Sequence, residues 1–399
     1  MRLDENQKRV FNEFRPHRKV SKSEVARRVN LTHPAVTQIV KKLCDMGYLQ
    51  EEKEKSKGPR GQPATLYSIS VKNVFVGIHV GRTRLEFVAI ELTGNVLTSA
   101  AKSVGFLQKE KLKASSQQEL DAFLASEQLK GRHIVGVGIS TPYFWEGWQS
   151  ILPPNNTIDR TWNSDIVTSL FDIPDVEDLT IENDGSAAAL GELTFGNGSS
   201  HKDFLYVNIG TFIGGGLVID GTLRTGAHGN TAALAPFPVS QSQLPNVQAT
   251  GRPFGQLLSR ASLFSLKEYA NSKGLPLDIS ELDSLESAEI NQCLNEWIED
   301  CAGALAQCFI GVWSLIDIEA IVLDGLLPKP VLQRIIDATL SRIQGFQTEG
   351  VITCDVKLGE LGSMAQSIGA ACLPVLSILG PPPINQVANA TSKRTTCPI

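Results

Sequence analysis

Residues 21–43 read Ser21-Lys-Ser-Glu-Val-Ala-Arg-Arg-Val-Asn30-Leu-Thr-His-Pro-Ala-Val-Thr-Gln-Ile-Val40-Lys-Lys-Leu43. Two short helical patterns meet here at a tight turn. Ser21 stands three residues before Glu24, the spacing of a reciprocal N-cap, and Val25 and Val29 then face inward. Asn30-Leu31 makes the turn. Thr32 can cap a second helix whose first turn contains Pro34, where a missing N–H costs nothing. Val36, Ile39, Val40 and Leu43 form an apolar stripe at helical spacing, which leaves His33, Thr37, Gln38 and Lys41 largely on the other side. Gln pairs with adenine edges, while Thr and Lys reach bases or phosphates. Thr32, His33, Thr37, Gln38 and Lys41 are therefore candidate contacts of a recognition helix in a DNA major groove. The competing interpretation is a simple solvated face.

The flanking residues complete a winged helix-turn-helix. Upstream, Asp4 to Phe14 gives a helix with Val10, Phe11 and Phe14 on one side. Downstream, Gly47 ends the third helix, a strand starts at Tyr48-Leu49, and Thr65 to Ile69 reads as its partner. Between them the tip Lys57-Gly-Pro-Arg-Gly-Gln-Pro63 is basic and free of bulky apolar side chains, so Lys57 and Arg60 are candidate DNA contacts, with Arg60 suited to a narrow minor groove. A flexible linker is the alternative for the tip, and a protein-interaction module the alternative for the three helices.

Charge favours the nucleic-acid reading. Residues 1–70 carry 15 Lys and Arg against 8 Asp and Glu, a balance of +7, whereas the remainder carries 22 against 34, a balance of −12. A basic head on an acidic body fits one module that meets a polyanion and another that does not. The 399 residues exceed the usual span of one core, so more than one domain is expected. The cysteines (Cys44, Cys293, Cys301, Cys308, Cys354, Cys372, Cys397) form no C-x-x-C pair, which points to reduced thiols and the cytoplasm. No signal-peptide core or membrane span is evident, so no membrane partner is expected.

From Val71 onward the pattern is that of an α/β protein. Phe75 to Val80 is a buried strand running into a glycine turn, a second strand follows through Leu85 to Leu92, and Gly94-Asn95 turns into a third beginning at Val96, giving a meander. A long helix over 290–316 places Leu294, Ile298, Cys301, Leu305, Cys308 and Val312 inward. The last helix is expected at Ser363 to Ser377, and Gly380-Pro-Pro-Pro383 opens a polar, disordered tail over 381–399.

The order of segments resembles the ROK family (repressors, open reading frames and sugar kinases), and the likeness runs from the helix-turn-helix to about Gly380. It implies domains at 1–70, a winged helix-turn-helix, and at 71–380, a two-lobed actin-like, ribonuclease H-like sugar-kinase fold. His79-Val-Gly81-Arg82-Thr83-Arg84 stands where the family has an Asp-x-Gly-Gly-Thr-Lys phosphate turn, so a carboxylate has become His79 and a glycine Arg82. Asn208-Ile-Gly-Thr-Phe-Ile-Gly-Gly-Gly216 resembles the second phosphate loop, with Phe212 in place of a glycine. Ile321-Val-Leu-Asp-Gly-Leu-Leu327 has lost most glycines of the adenosine segment. Gly136 to Pro142, Pro154-Asn155-Asn156 and Glu182-Asn183-Asp184-Gly185 resemble the sugar-side segments, in which Asp184 matches the general base. On its own Asp184 would be read as an N-cap.

The metal and sugar segments depart further. Gly226-Ala-His-Gly229-Asn-Thr-Ala-Ala233-Leu-Ala-Pro236 carries Ala233 and Pro236 where the family has Glu and His, and the loop to Ser262 has no cysteine, with Leu258 near the place of a second sugar-binding Glu. A structural zinc needs about four N or S ligands, so neither metal nor other cofactor is expected. The likeness thus implies a kinase-like domain without kinase chemistry. Asp184 would be a relic, and Asn155, Asn156, Asn183 and Asp184 would hold an effector, either a sugar or a less polar molecule. The expected protein is a transcriptional repressor of carbohydrate-related genes, a homodimer or higher homo-oligomer on a double-stranded, palindromic operator. The alternatives are a working ROK sugar kinase with an accessory head, and an architectural DNA binder that takes no ligand.

Overall fold

A computed structural model describes residues 3–15, 19–56, 64–104, 109–143, 167–173, 179–245, 253–277, 282 and 287–380. Lys57, Arg60, Asn155, Asn156 and the tail over 381–399 lie outside the described residues.

The head comprises α1 (Glu5–Asn12), β1 (Val20–Ser21), α2 (Lys22–Val29), α3 (His33–Asp45), β2 (Leu49–Ser56) and β3 (Ala64–Ile69). Its caps follow from the side chains. The Ser21 hydroxyl accepts from the Glu24 N–H, while the Glu24 carboxylate accepts from the Ser21 N–H at 3.1 Å. Asn30 closes α2 in the left-handed conformation, φ 54°, which Asn tolerates better than most residues. Thr32 caps α3 by accepting from the Ala35 N–H at 3.4 Å. Val25, Val36, Val40 and Leu43 meet Val10 and Phe11 in a closed core. Two details differ from the periodic reading. Helix α1 stops at Asn12, with Phe14 buried in the turn beyond it, and a two-residue strand, β1, joins the wing in the order β1-β3-β2.

The body opens with the expected meander of β4 (Asn73–Val80), β5 (Arg84–Glu91) and β6 (Val96–Ser103). It continues through α4 (Lys109–Leu124), β7 (His133–Thr141), β8 (Leu179–Asn183) and α5 (Asp184–Phe195). A second meander follows in β9 (Phe204–Ile209), β10 (Ile213–Ile219) and β11 (Thr222–Arg224). After a short pair, β12 (Pro238–Val239) and β13 (Gly255–Gln256), come α6 (Leu263–Ser272), α7 (Ala288–Leu315) and β14 (Ala320–Gly325). The described chain closes with α8 (Lys329–Ile343), β15 (Asp355–Leu358) and α9 (Ala365–Leu379). The sheets run β6-β5-β4-β7-β8 and β11-β10-β9-β14-β15, each an antiparallel meander extended by two parallel strands. The same topology twice is the two-lobed, actin-like arrangement.

Helices α5 and α9 join the lobes. They cross so closely that a Cβ on Gly369 would overlap the Ala187 carbonyl, and α9 lies so close on β7 that one on Gly138 would overlap the Ala370 carbonyl. By length and composition Gly362–Leu379 could cross a membrane, but it is mostly buried inside the protein. The head shares a core with this joint: one buried cluster contains Phe11, Leu43 and Tyr48 together with Phe75, Ile90 and Leu373. Asn73 Nδ2 donates to the Met46 carbonyl at 3.2 Å, and the Ser70 N–H donates to the Tyr48 carbonyl at 2.9 Å.

Candidate functional site

Two surfaces carry chemistry. On the head, α3 buries Val36, Val40 and Leu43 and so turns His33, Gln38 and Lys41 to solvent. Thr32 is exposed with its hydroxyl engaged in the cap, and Thr37 is half-buried, its Oγ1 unpartnered among the described residues. Lys42, four residues after Gln38, extends the same exposed row, and Arg27 on α2 is exposed as well. The signal for Lys42 was its i, i+4 spacing from Gln38.

The second surface is the cleft between the lobes, a cavity of about 350 Å³. The first lobe supplies Arg82 from the turn after β4, and Pro142 and Tyr143 from the end of β7. Asn183 and Asp184 enter at the start of α5, where the Asn183 Oδ1 accepts from the Gly185 N–H at 3.1 Å and Asp184 Oδ1 from the same N–H at 2.9 Å. The second lobe supplies Asn208, Phe212 and the segment Asn230 to Pro236, with Gln256 at the rim. Ala233, Leu234 and Pro236 make this an apolar wall where sugar-binding carboxylates were missing from the sequence. A second cavity of about 80 Å³ adjoins it, sharing Arg82, Pro142, Asp184, Asn208 and Phe212, and adding His79, Arg84 and Glu86.

Arg82 stands at the junction, its guanidinium carbon 4.5 Å from the centre of the Phe212 ring. Burial lowers its pKa to about 10, opposed by the nearby Asp184 carboxylate, so it remains a cation at neutral pH. Burial, followed by the charges of Glu182 and Asp184, raises the Tyr143 hydroxyl to about 12. Glu182 is itself raised by burial. Asn208 is 7% exposed, and its Oδ1 has no hydrogen-bond partner among the described residues.

Of the four effector candidates, Asn183 and Asp184 line the cleft, while Asn155 and Asn156 lie outside the described residues. Sequence reasoning did not select Tyr143, Asn208, Thr231 or Gln256. The available signal for Asn208 was its place at the carboxyl end of a buried parallel strand, where α/β ligands bind. In the segment without cysteines, Arg260 occupies the interior. Its Nε donates to Asp300 Oδ2 at 3.0 Å and its Nη2 to Oδ1 at 2.8 Å, while Nη1 reaches the Ser240 hydroxyl at 3.0 Å. This clamps the loop to α7. Among the described residues no three His, Cys, Asp or Glu side chains group as metal ligands.

A model described as ROK family matches residues 75–375, and one for a winged helix-turn-helix DNA-binding domain matches residues 3–50. An uncharacterized protein, y4fQ of Sinorhizobium fredii, is 28% identical over 93% of this chain and 91% of its own length. The xylose repressor of Caldicellulosiruptor bescii is 27% identical over 53% of this chain, and the match spans about half of that repressor, 52%. Among solved structures, a ROK family transcriptional regulator, homologous to the Escherichia coli MLC protein, superposes with a TM-score of 0.68 at 18% identity, covering 94% of this chain and 96% of that one. A ROK family glucokinase from Streptomyces griseus, in complex with glucose and AMPPNP, superposes with a TM-score of 0.56 at 22% identity, covering 75% and 98%.

Proposed function

The chain belongs to the ROK family, and on that basis we propose that it is a DNA-binding transcriptional repressor whose operator affinity is set by a small molecule in the interlobe cleft. The observation that carries the proposal is the packing of an exposed recognition row, Gln38, Lys41 and Lys42, onto the core that also joins the two lobes. A ligand that changes the angle between α5 and α9 acts on α9, against which α1 of the head packs. Such a ligand must bind the two arrangements with different affinity. The xylose repressors among the relatives support carbohydrate-related genes as the target.

In this proposal the protein works in the cytoplasm as a homodimer or higher homo-oligomer, on a two-fold operator with half-sites about one helical turn apart. In this reading it transfers no phosphoryl group: Arg82 and Phe212, which replace glycines of the two phosphate turns in the sequence likeness, meet at 4.5 Å. Thr32, His33, Thr37, Gln38 and Lys41 act at the major groove and Lys57 and Arg60 at the wing.

Operator selection from random duplexes, followed by titration at several salt concentrations, tests this. Gln38→Ala should relax base preference. Lys41→Ala should weaken all sequences alike and lower the salt slope by about 1. Equal affinity of the wild type for selected and random DNA would remove the recognition-helix assignment. The retained Asp184 favours a second reading, a working sugar kinase. Hexose phosphorylation that vanishes in Asp184→Asn would establish it.

A further inference from the structure

We propose that the head docks reversibly on the body, and that Asn12 and Arg15, at and just beyond the end of α1, make this joint the first part of the molecule to open. It rests on the repressor reading for its consequence, a head free to take the angle that an operator demands, but not for its geometry.

Two opposed effects meet at this joint. Phe11, Phe14 and Tyr48 of the head share a buried cluster with Phe75, Ile90 and Leu373 of the body, and that apolar burial holds the head down. Against it stand two polar atoms sealed from solvent with no hydrogen-bond partner among the described residues, Asn12 Oδ1 and Arg15 Nη1. A sealed donor on a charged group that makes no hydrogen bond forfeits its hydration without return. Detaching the head gives both atoms back to water.

Arg15 reaches the body rather than its own domain. Its charge acts on the Cys372 thiol of α9, and burial holds the guanidinium below the usual arginine range. Groups that could have satisfied it are engaged elsewhere. Glu13, two residues away, pairs with Arg28 at 3.8 Å, and Thr194 of α5, a neighbour of the Cys372 thiol, donates its hydroxyl proton to the Leu190 carbonyl at 2.7 Å. Within the head, by contrast, Arg9 Nη2 donates to the Val29 carbonyl at 2.6 Å, and within the second lobe Arg260 is held by Asp300. Those two arginines tie their own domains together, whereas Arg15 weakens the seam between two.

Cys372 is a native probe of the joint, and Cys301 and Cys308, buried in α7 of the second lobe, are its controls. Burial raises all three thiols, Cys372 and Cys308 to about 12, so alkylation of each waits on exposure. The full chain is treated with N-ethylmaleimide in native buffer and labelling is followed site by site by mass spectrometry. Cys372 should react at least about tenfold faster than Cys301 and Cys308, since it needs only the head to lift. Arg15→Met, which removes the charge and keeps apolar bulk, should slow Cys372 by about tenfold and leave the two controls unchanged. Asn12→Leu should act in the same direction. Asn73→Ala, which removes the bond to the Met46 carbonyl, should speed Cys372 alone. A melting curve on each variant identifies one that fails to fold, in which case the remaining variants and the wild-type comparison still decide. Cys372 no faster than Cys301 in the wild type, or Cys372 as fast in folded Arg15→Met or Asn12→Leu as in the wild type, would each overturn the proposal. Labelling needs no DNA, so the two readings fail separately. A chain that ignores selected operators but labels fast at Cys372 keeps the joint and loses the repressor, whereas operator binding with Cys372 as slow as Cys301 does the reverse.

Discussion

The two lobes share one strand order, yet the carboxyl ends of their central strands are finished differently. In the first lobe His79 on β4 lies in register with Ser140 on β7; their side chains are 3.1 Å apart, and the Ser140 hydroxyl donates to the Gln366 carbonyl at 3.0 Å. In the second, Asn208 on β9 lies in register with Asp324 on β14, but Asp324 turns to the backbone, Oδ1 accepting from the Gly325 N–H at 2.9 Å and Oδ2 from the Gly362 N–H at 2.8 Å. Asn208 is left facing the cleft. The His79–Ser140 pair is closed on itself, whereas the Asn208 oxygen is buried without a partner among the described residues. The glycine turns that follow these strands diverge too, one carrying Arg82 and the other Phe212, and the two side chains meet.

The largest expected effect lies in the segment between β11 and α6. Arg260 and Asp300 are both nearly sealed from solvent, at 5% and 8% exposure. Arg260→Ala would leave the Asp300 carboxylate buried without its cation, at a cost of about 3 to 5 kcal/mol. Chemical unfolding should show this as a large drop in midpoint. Replacing both partners together, as Arg260→Met with Asp300→Leu, should restore most of the loss. A single variant as stable as wild type would mean that the loop is held by something else.

A smaller asymmetry is electrostatic. Burial raises the Asp324 carboxyl from 3.8 to about 6, whereas its counterpart Ser140 does not titrate in this range. A carboxyl whose pKa is higher folded than unfolded binds its proton more tightly in the folded state. The stabilisation is therefore complete below about pH 4 and is lost as pH rises through 6, a decline of at most about 3 kcal/mol. In Asp324→Asn that part of the decline should disappear from unfolding free energies measured between pH 4 and 7. Glu192 and Glu182 are raised by burial with the same sign, so a residual slope should persist. Parallel profiles for wild type and variant would contradict the assignment.

The head was legible because every signal in it is local. Caps at Ser21 and Thr32, the turn at Asn30 and an apolar stripe each lie within one helical turn of what they control. The meander of β4 to β6 was legible for the same reason. The two-residue strand β1 was not, since its partners Tyr67 and Leu66 are more than forty positions away. In the cleft the likeness to sugar kinases located Asn183 and Asp184 and marked Arg82 and Phe212 as departures. It did not show that the departures touch one another, because they lie 130 residues apart and the contact exists only once two sheets face each other. Asn208 was quoted as the start of a glycine loop. Its lack of a partner is a property of packing, which no spacing rule reports. The Arg260–Asp300 clamp escaped for a like reason: an arginine in a loop and an aspartate in a helix are ordinary until burial makes each indispensable to the other.

The smallest effect tests whether the two turns act on each other or merely adjoin. A cation above an aromatic face contributes about 0.5 to 2 kcal/mol, more when desolvated. Phe212→Leu keeps apolar bulk without the ring's negative face, and Arg82→Gln keeps length without charge. Each change alone also alters packing and the balance with Asp184, so neither reports the contact. The double-mutant cycle does, since effects private to one side chain cancel. Chemical unfolding of the four proteins should yield a favourable coupling of about 1 kcal/mol between Arg82 and Phe212. A coupling of zero in the free protein would leave the two lobes touching at this point without a latch, and interlobe closure would then depend on α5 and α9 alone.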